Sequence, residues 1–208
     1  MLNLTAYVLS CKLRDELRQS TIDNLRQAGW SGNLTVELDN SKSVIPLERH
    51  TQLVRRTLRR AVKEEQDIFL LLEDDLQFNR HLLHNLSNWR PLQHFVPGTH
   101  FYASLYNPGV SIVKSVPKLG YGEALTSSVI GMQALLLSRT TASYILTSWG
   151  VESCAHADVR LARLAGRVCP LLYHLPSLVQ HVGVKSMWGG PFHCATDFDV
   201  RWRAGGEY

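Results

Sequence analysis

Long apolar runs are missing from this chain. Nowhere do its 208 residues approach the ~18 uninterrupted apolar residues of a membrane helix, so no span is expected. The opening MLNLTAYVLSCKLRDE has no basic segment ahead of a long apolar core. It does not read as a secretory signal, and a cytoplasmic location is the expectation. Cysteine is scarce. Cys11, Cys154, Cys169 and Cys194 form no CxxC pair and no Cys/His zinc spacing. That argues against a disulfide framework or a zinc site and for reduced thiols. Internal repeats, low-complexity tracts and Pro/Gly/Ser linkers are also absent, so one domain over residues 1–208 is expected.

The rest of the composition is ordinary. Hydrophobic residues make up 45% and charged residues 19%, near the globular average, which excludes disorder as the main state. The 22 Lys and Arg against 18 Asp and Glu leave a net charge of +4. A mild basic excess suits an anionic ligand without by itself indicating nucleic acid.

Strand and helix signals alternate through the first half. Leu4 to Ser10 reads as a buried strand, and Leu13 to Ala28 as a helix stopped by Gly29. Leu34 to Leu38 is a second strand, and a strongly charged helix covers Glu48 to Glu65, with Pro46 where a helix could begin. Asp67 to Leu72, DIFLLL, is the clearest strand and is apolar on both faces, as a central parallel strand should be. Asn79 would cap a helix running to about Asn88. His100 to Leu105, Met132 to Leu137 and Leu171 to Tyr173 are further strands. Thr140 to Trp149 and His156 to Ala165 are helices, the second ended by Gly166. The tail from Gly183 reads as loop. This pattern predicts an α/β/α sandwich of Rossmann-like type with a mostly parallel sheet. Ligands bind beyond the carboxyl ends of strands in such sheets, so polar residues there carry the most weight.

Glu73, Asp74 and Asp75 follow DIFLLL directly. Three adjacent carboxylates repel one another, and a cation among them relieves the repulsion. Hard oxygen ligands favour Mg²⁺ or Mn²⁺, usually held by one protein carboxylate together with substrate phosphates. The alternative is a solvated acidic turn. FLLLEDDLQF resembles the strand and acidic motif of GT-A fold glycosyltransferases, where a DxD-type triplet follows a hydrophobic strand; here Glu stands first. The resemblance implies that Asp75 is a metal ligand, that Glu73 faces ribose or sugar, and that Asp74 supports them.

Three later segments resemble the same family in the same order. GMQALLLSR, from Gly131, is similar to the segment whose glycine opens the sugar pocket. HADVRLARLAG, from His156, is similar to the acidic motif that starts the acceptor-side helix, which would make Asp158 the general base. PSLVQHVGVKS, from Pro176, is similar to the segment whose histidine completes the metal site, which would be His181, with Lys185 and Ser186 contacting the donor. This last segment looks like that of GnT-IV-type N-acetylglucosaminyltransferases, and the N-terminal half is closer to family 25. The resemblance implies a nucleotide-binding half over about residues 1–90 and an acceptor-side half with a C-terminal flap over about 91–208. It also implies a metal-dependent, inverting transfer of a hexosyl or N-acetylhexosaminyl group from a nucleoside-diphosphate sugar, by analogy a UDP-sugar, to a hydroxyl.

Other residues carry both functional and ordinary readings. Ser10 and Arg14 follow the first strand, where this fold holds the nucleotide, and Asp39 follows the second. Asp158 could equally complement the dipole of its helix, with Glu152 and Glu123 as alternative bases. Arg55, Arg56, Arg59, Arg60 and Lys63 share one helix face. It is either a solvated face or a contact for diphosphate or DNA. Trp188, Gly189 and Gly190 suggest a flap over the donor. The acceptor is open between a glycan and a hydroxymethylated base in DNA. Rival readings are a nucleotidyltransferase, although SCKLRDE after the first strand lacks its glycines, and a non-catalytic nucleic-acid-binding module using the arginine face.

Overall fold

Strands that are apolar on both faces decide the layering. A computed structural model describes residues 4–64, 66–110, 112–116, 120–183 and 192–205. Strand β1 (Thr5–Ser10) and strand β3 (Ile68–Leu72) are buried along their whole length. Phe69 and Leu71 of β3 join one hydrophobic cluster, and Ile68, Leu70 and Leu72 join a second on the opposite face. A strand covered on both sides in this way needs helices above and below it. Helices α2 (Pro46–Lys63), α5 (Arg139–Thr147) and α6 (Ala157–Ala165) cover the first face. Helices α1 (Asp15–Gln27), α3 (Leu82–Asn88) and α4 (Arg90–Gln93) cover the second.

The remaining strands are β2 (Asn33–Leu38), β4 (Leu76–Phe78), β5 (Tyr102–Ser104), β6 (Ile112–Val116), β7 (Tyr121–Ala124), β8 (Ala134–Ser138), β9 (Leu171–His174) and β10 (Val179–His181). The large sheet has the order β2-β1-β3-β8-β5-β9-β7-β6, and β10 pairs with β4 in a small second sheet. The pairings set β2, β1, β3, β5, β9 and β6 in one direction and only β8 and β7 in the other. The expected α/β/α sandwich with a mostly parallel sheet is therefore present. No helix among the described residues is long and apolar enough to cross a membrane.

Two stop signals act differently from one another. Gly29 has φ +93° and closes α1 through Trp30 N–H to Leu25 O at 3.2 Å, a left-handed helix end. Gly166 is right-handed at φ −63°. A Cβ at Gly166 would sit well inside 3.0 Å of Thr126 Cγ2, so glycine is needed there for close packing. Asn79 does not cap a helix directly, because β4 occupies the preceding residues and α3 begins only at Leu82. Fully buried, Asn79 accepts from His81 N–H at 2.7 Å and donates to Asp199 O and Trp202 O, tying down the C-terminal segment.

Candidate active site

Four chain segments meet at one end of the sheet. Ser10 ends β1 and the acidic triplet leaves β3 beside it. The third segment arrives because β8 runs antiparallel to β3. Leu72 pairs with Ala134, and Glu73 N–H donates to Gln133 O at 3.0 Å, so the start of β8 lies against the end of β3. The fourth arrives through the small sheet, where His181 pairs with Leu76 and Val182 N–H donates to Asp75 O at 2.9 Å. Together they line an open cleft of about 820 Å³, part of it continuous with solvent.

Of the expected site residues, Ser10, Arg14, Glu73, Asp74, Asp75, Gly131, Asp158 and His181 all line this cleft. Asp75 and His181 face each other, with Oδ2 and Nε2 3.2 Å apart. His181 Nδ1 lies 2.9 Å from His193 O, a contact that only an Nδ1–H can satisfy. That hydrogen bond fixes the ring and aims Nε2 at Asp75. Two lone pairs cannot face each other stably at this distance, so a proton or a cation belongs between them. Burial opposes a charged His181, yet Asp75 outweighs it and raises the imidazole pKa above its ordinary value. Burial likewise opposes ionisation of Asp75, but His181 and Arg14 prevail and lower its pKa.

Arg14 lies across both aspartates. Its Nε is 3.0 Å from Asp74 Oδ1 and its Nη2 bonds Asp75 Oδ2. Ser10 Oγ donates to Asp74 Oδ2 at 2.5 Å. Burial, partly offset by Ser10 and Arg14, still pushes Asp74 up to about 6. Glu73 is pushed up to about 8 by burial and by its two acidic neighbours. His50, whose Nε2 is 3.7 Å from Glu73 Oε1, is held neutral by burial, down to about 4.

The donor set suits a hard divalent ion. Asp75 Oδ1 is buried without a hydrogen-bond partner, and His181 Nε2 points at the same carboxylate. One carboxylate and one imidazole leave the other coordination positions to phosphate oxygens and water, the usual way such an ion is held with a nucleotide. Among the described residues no three His, Cys, Asp or Glu side chains form a metal-holding group, so protein alone would not complete the shell.

Across the cleft, Asp158 stands in the first turn of α6. Its Oδ2 accepts from Gly131 N–H at 2.7 Å and its Oδ1 from Val159 N–H at 2.8 Å. Gly131 has φ +77°, and a Cβ there would run into Gln133 Oε1 and come within 3.0 Å of His193 Cε1. The positive φ calls for glycine here, and any side chain would also have to displace the Gln133 amide.

Some expected residues lie elsewhere. Asp39 does not line the cleft. Its N–H donates to Ser10 O at 2.7 Å, while Arg49 Nε and Ser41 N–H occupy its carboxylate at 2.7 and 2.9 Å. Glu152 accepts from Cys154 N–H and Arg163 outside the cleft, and Glu123 lines a second, separate depression. The arginine face is largely engaged. Arg56 bonds Asn40 and Leu38 O, Arg60 bonds Glu37 and Glu64, and Arg55 lies over the Trp149 ring at 5.5 Å. Lys185, Ser186, Trp188, Gly189 and Gly190 lie outside the described residues. Sequence reasoning missed His50, Gln133, His156 and His193 as cleft residues. It also missed Gly183, whose Cβ would press on the Asp75 and His181 pair. Gln133 stands two residues from Gly131, and His156 two residues from Asp158, inside the segments that carry those residues; His50 and His193 have no such marker.

No family model matches this sequence, and no curated protein matches it. The fold itself is one seen in a solved glycosyltransferase. Among solved structures the chain is similar to a glycosyltransferase involved in the glycosylation of the major capsid of PBCV-1, with TM-score 0.50 and 12% identity over 88% of this chain and 95% of that one. Two structures of Drosophila β1,4-galactosyltransferase 7 are more distant. Its catalytic domain with xylobiose gives TM-score 0.42 at 13% identity over 69% of this chain and 52% of that one. A mutant with manganese, UDP-Gal and xylobiose gives 0.47 at 11% over 98% and 82%.

Proposed function

We propose that the chain is one glycosyltransferase domain that moves a sugar from a nucleoside-diphosphate sugar, of UDP type, to a hydroxyl acceptor, using Mn²⁺ or Mg²⁺. The observation that carries this reading is the Asp75 and His181 pair, 3.2 Å apart at the carboxyl end of β3, with Asp75 Oδ1 buried and unpartnered. The fold shared with the capsid glycosyltransferase supports it.

Asp75 and His181 would hold the metal, which when bound neutralises the leaving diphosphate. Arg14, already turned toward the acidic triplet, is placed to exchange a carboxylate for a phosphate oxygen. Ser10 holds Asp74 in place through its hydroxyl. Glu73, which lines the cleft beside the two aspartates, would face ribose or sugar. Gly131 leaves room for the sugar against the backbone. Asp158 accepts the proton of the attacking acceptor hydroxyl, and attack from the face opposite the diphosphate inverts the anomeric centre. Asp158 is anchored to Gly131 N–H, so the base and the sugar pocket are fixed relative to each other.

The acceptor is a hydroxyl of a glycan or of a hydroxymethylated base in DNA. Engagement of Arg56 and Arg60 with protein groups leaves less of the α2 face for DNA and favours the glycan. Incubation with a panel of nucleotide sugars, with and without Mn²⁺, tests the reading. Metal-dependent release of one nucleoside diphosphate is expected. Equal release without metal, or none from any donor at high enzyme concentration, would overturn it.

A further inference from the structure

One polar atom in the cleft wall has no role in the chemistry above. Gln133, the residue just before β8, is 4% exposed, and its Oε1 is buried with no hydrogen-bond partner. A buried carbonyl oxygen left without a donor is unfavourable, and native proteins keep few of them. This one is not in a remote corner of the core. Gln133 lines the cleft, and its Oε1 lies directly beneath Gly131, well inside 3.0 Å of the point a Cβ there would occupy. The same point is 3.0 Å from His193 Cε1, and His193 Nδ1 is 2.6 Å from Tyr106 Oη. Gly131 in turn donates its N–H to Asp158. The unused acceptor therefore adjoins Gly131, whose N–H holds the candidate base, and belongs to the wall of the same cleft as the candidate metal pair.

Leu, Ala or Met at position 133 would fill this wall without stranding an acceptor. The strand it leads into shows the contrast: Ala134, Leu135, Leu136 and Leu137 of β8 are all apolar and buried. An amide at this point is explained by a ligand that brings a donor to it. The chemistry that fits is a sugar hydroxyl, since a phosphate oxygen or a carboxylate has no hydrogen to give.

We infer that Gln133 is a specificity-determining residue that accepts a hydrogen bond from a hydroxyl of the donor sugar, an inference that rests on the nucleotide-sugar reading of this same cleft. A site built to accept from a hydroxyl discriminates against sugars that lack it or orient it otherwise.

The test compares the wild-type chain with Gln133→Met, which keeps the length of the side chain and removes the acceptor. Binding is measured by calorimetry in Mn²⁺ for UDP-glucose, UDP-galactose, UDP-N-acetylglucosamine and GDP-mannose, each against its bare nucleoside diphosphate. Wild type is expected to hold one conjugate more tightly than the bare diphosphate. In Gln133→Met that advantage falls about tenfold, as loss of one neutral hydrogen bond implies. Affinity for the bare diphosphate stays within about twofold, because the proposed Gln133 hydrogen bond is made to the sugar alone. Thermal stability of the ligand-free variant is unchanged or higher, because an orphaned acceptor has been replaced by an apolar group. A sugar advantage that survives the substitution, or a marked loss of stability without ligand, would overturn the inference. Wild type that binds a nucleoside diphosphate but gains nothing from any sugar also overturns it, while leaving nucleotide binding intact. Wild type that binds none of these compounds overturns the proposed function itself, and the inference with it.

Discussion

Gly183→Ala is the sharpest probe of the metal pair, because it changes no charge and removes no ligand. Gly183 follows β10 by two residues and lies against the back of the Asp75 carboxylate. A Cβ there would stand well inside 3.0 Å of Asp75 Oδ2, 2.9 Å from Asp75 Cγ and 3.0 Å from His181 Nε2. Ordinary contact begins at 3.4 Å, so Cγ must retreat by about half an ångström and Oδ2 by more. Asp75 cannot simply turn aside, since Arg14 and His181 both hold the same oxygen. The pair should therefore be forced apart. Displacements of this size at a ligand or its support typically cost ~10–100-fold in metal affinity, or about 1.4–2.7 kcal/mol. The assay is titration of UDP with and without Mn²⁺. Gly183→Ala should lose most of the Mn²⁺-dependent part of the affinity and keep the metal-independent part. Gly150→Ala is the control, because nothing lies within 4 Å of a Cβ at that position. Mn²⁺ dependence equal to wild type in the Gly183 variant would refute the assignment of Asp75 and His181 as the metal pair.

Asp158→Asn should keep the hydrogen bond from Gly131 N–H to its one remaining oxygen, giving up the bond from Val159 N–H, and lose the base. Single-turnover rates are expected to fall ~10²–10⁴-fold with donor affinity nearly unchanged, and a drop under tenfold would assign the base elsewhere. Arg14→Met removes the guanidinium that now balances Asp74 and Asp75. Calorimetry should show lower stability without metal, recovery on adding Mn²⁺, and tighter Mn²⁺ binding to the ligand-free chain; weaker Mn²⁺ binding would mean that Arg14 does not compete for the site. His174 is buried between the rings of Trp89 and Trp202 at 5.1 and 5.4 Å and donates from Nδ1 to Pro176 O at 2.6 Å. Burial holds its pKa down at about 4, against 6.5 when exposed. The unfolded chain therefore binds the extra proton between those values, so stability is full above pH 6.5 and is lost as pH falls toward 4, by about 3 kcal/mol for this residue. His174→Phe keeps an aromatic ring there and should flatten that slope in denaturant titrations at pH 7.5 and 5. An identical slope in variant and wild type would exclude His174 as its source.

Much of the fold was legible because its elements announce themselves by periodicity. β3 is an unbroken apolar run, β1 and β8 are apolar but for Thr5, Ser10 and Ser138 at their ends, and α2 presents Leu53, Val54, Leu58 and Ala61 to the sheet with charges opposite. The strands that were not legible are short or mixed. β4 and β10 have three residues each, too few for any period to show, and β7 is Tyr-Gly-Glu-Ala, half exposed and half buried. Strand direction was equally hidden. A strand buried on both faces has the same composition whichever way it runs, so nothing in GMQALLLS marks β8 as antiparallel.

That hidden reversal is what builds the site. If β8 ran parallel to β3, its carboxyl end at Ser138 would lie beside the acidic triplet, and Gly131 and Gln133 would lie at the far end of the sheet. The motif residues could be named because strand ends are where α/β sheets bind ligands, and that rule needs only the position of a polar residue after an apolar run. Which of them touch is decided by register. The three-residue ladder of β10 with β4 sets His181 opposite Leu76, one residue from Asp75. A slip of one residue would turn His181 to the other face and carry Gln180 toward the cleft in its place. Asp39 shows the converse. It follows a strand end as Ser10 does, yet β2 is the edge strand, one place further from β3, and there Arg49 and Ser41 occupy its carboxylate. At that edge strand the carboxylate holds a loop together, whereas Ser10 of β1 and Gln133 before β8, whose strands adjoin β3, line the cleft.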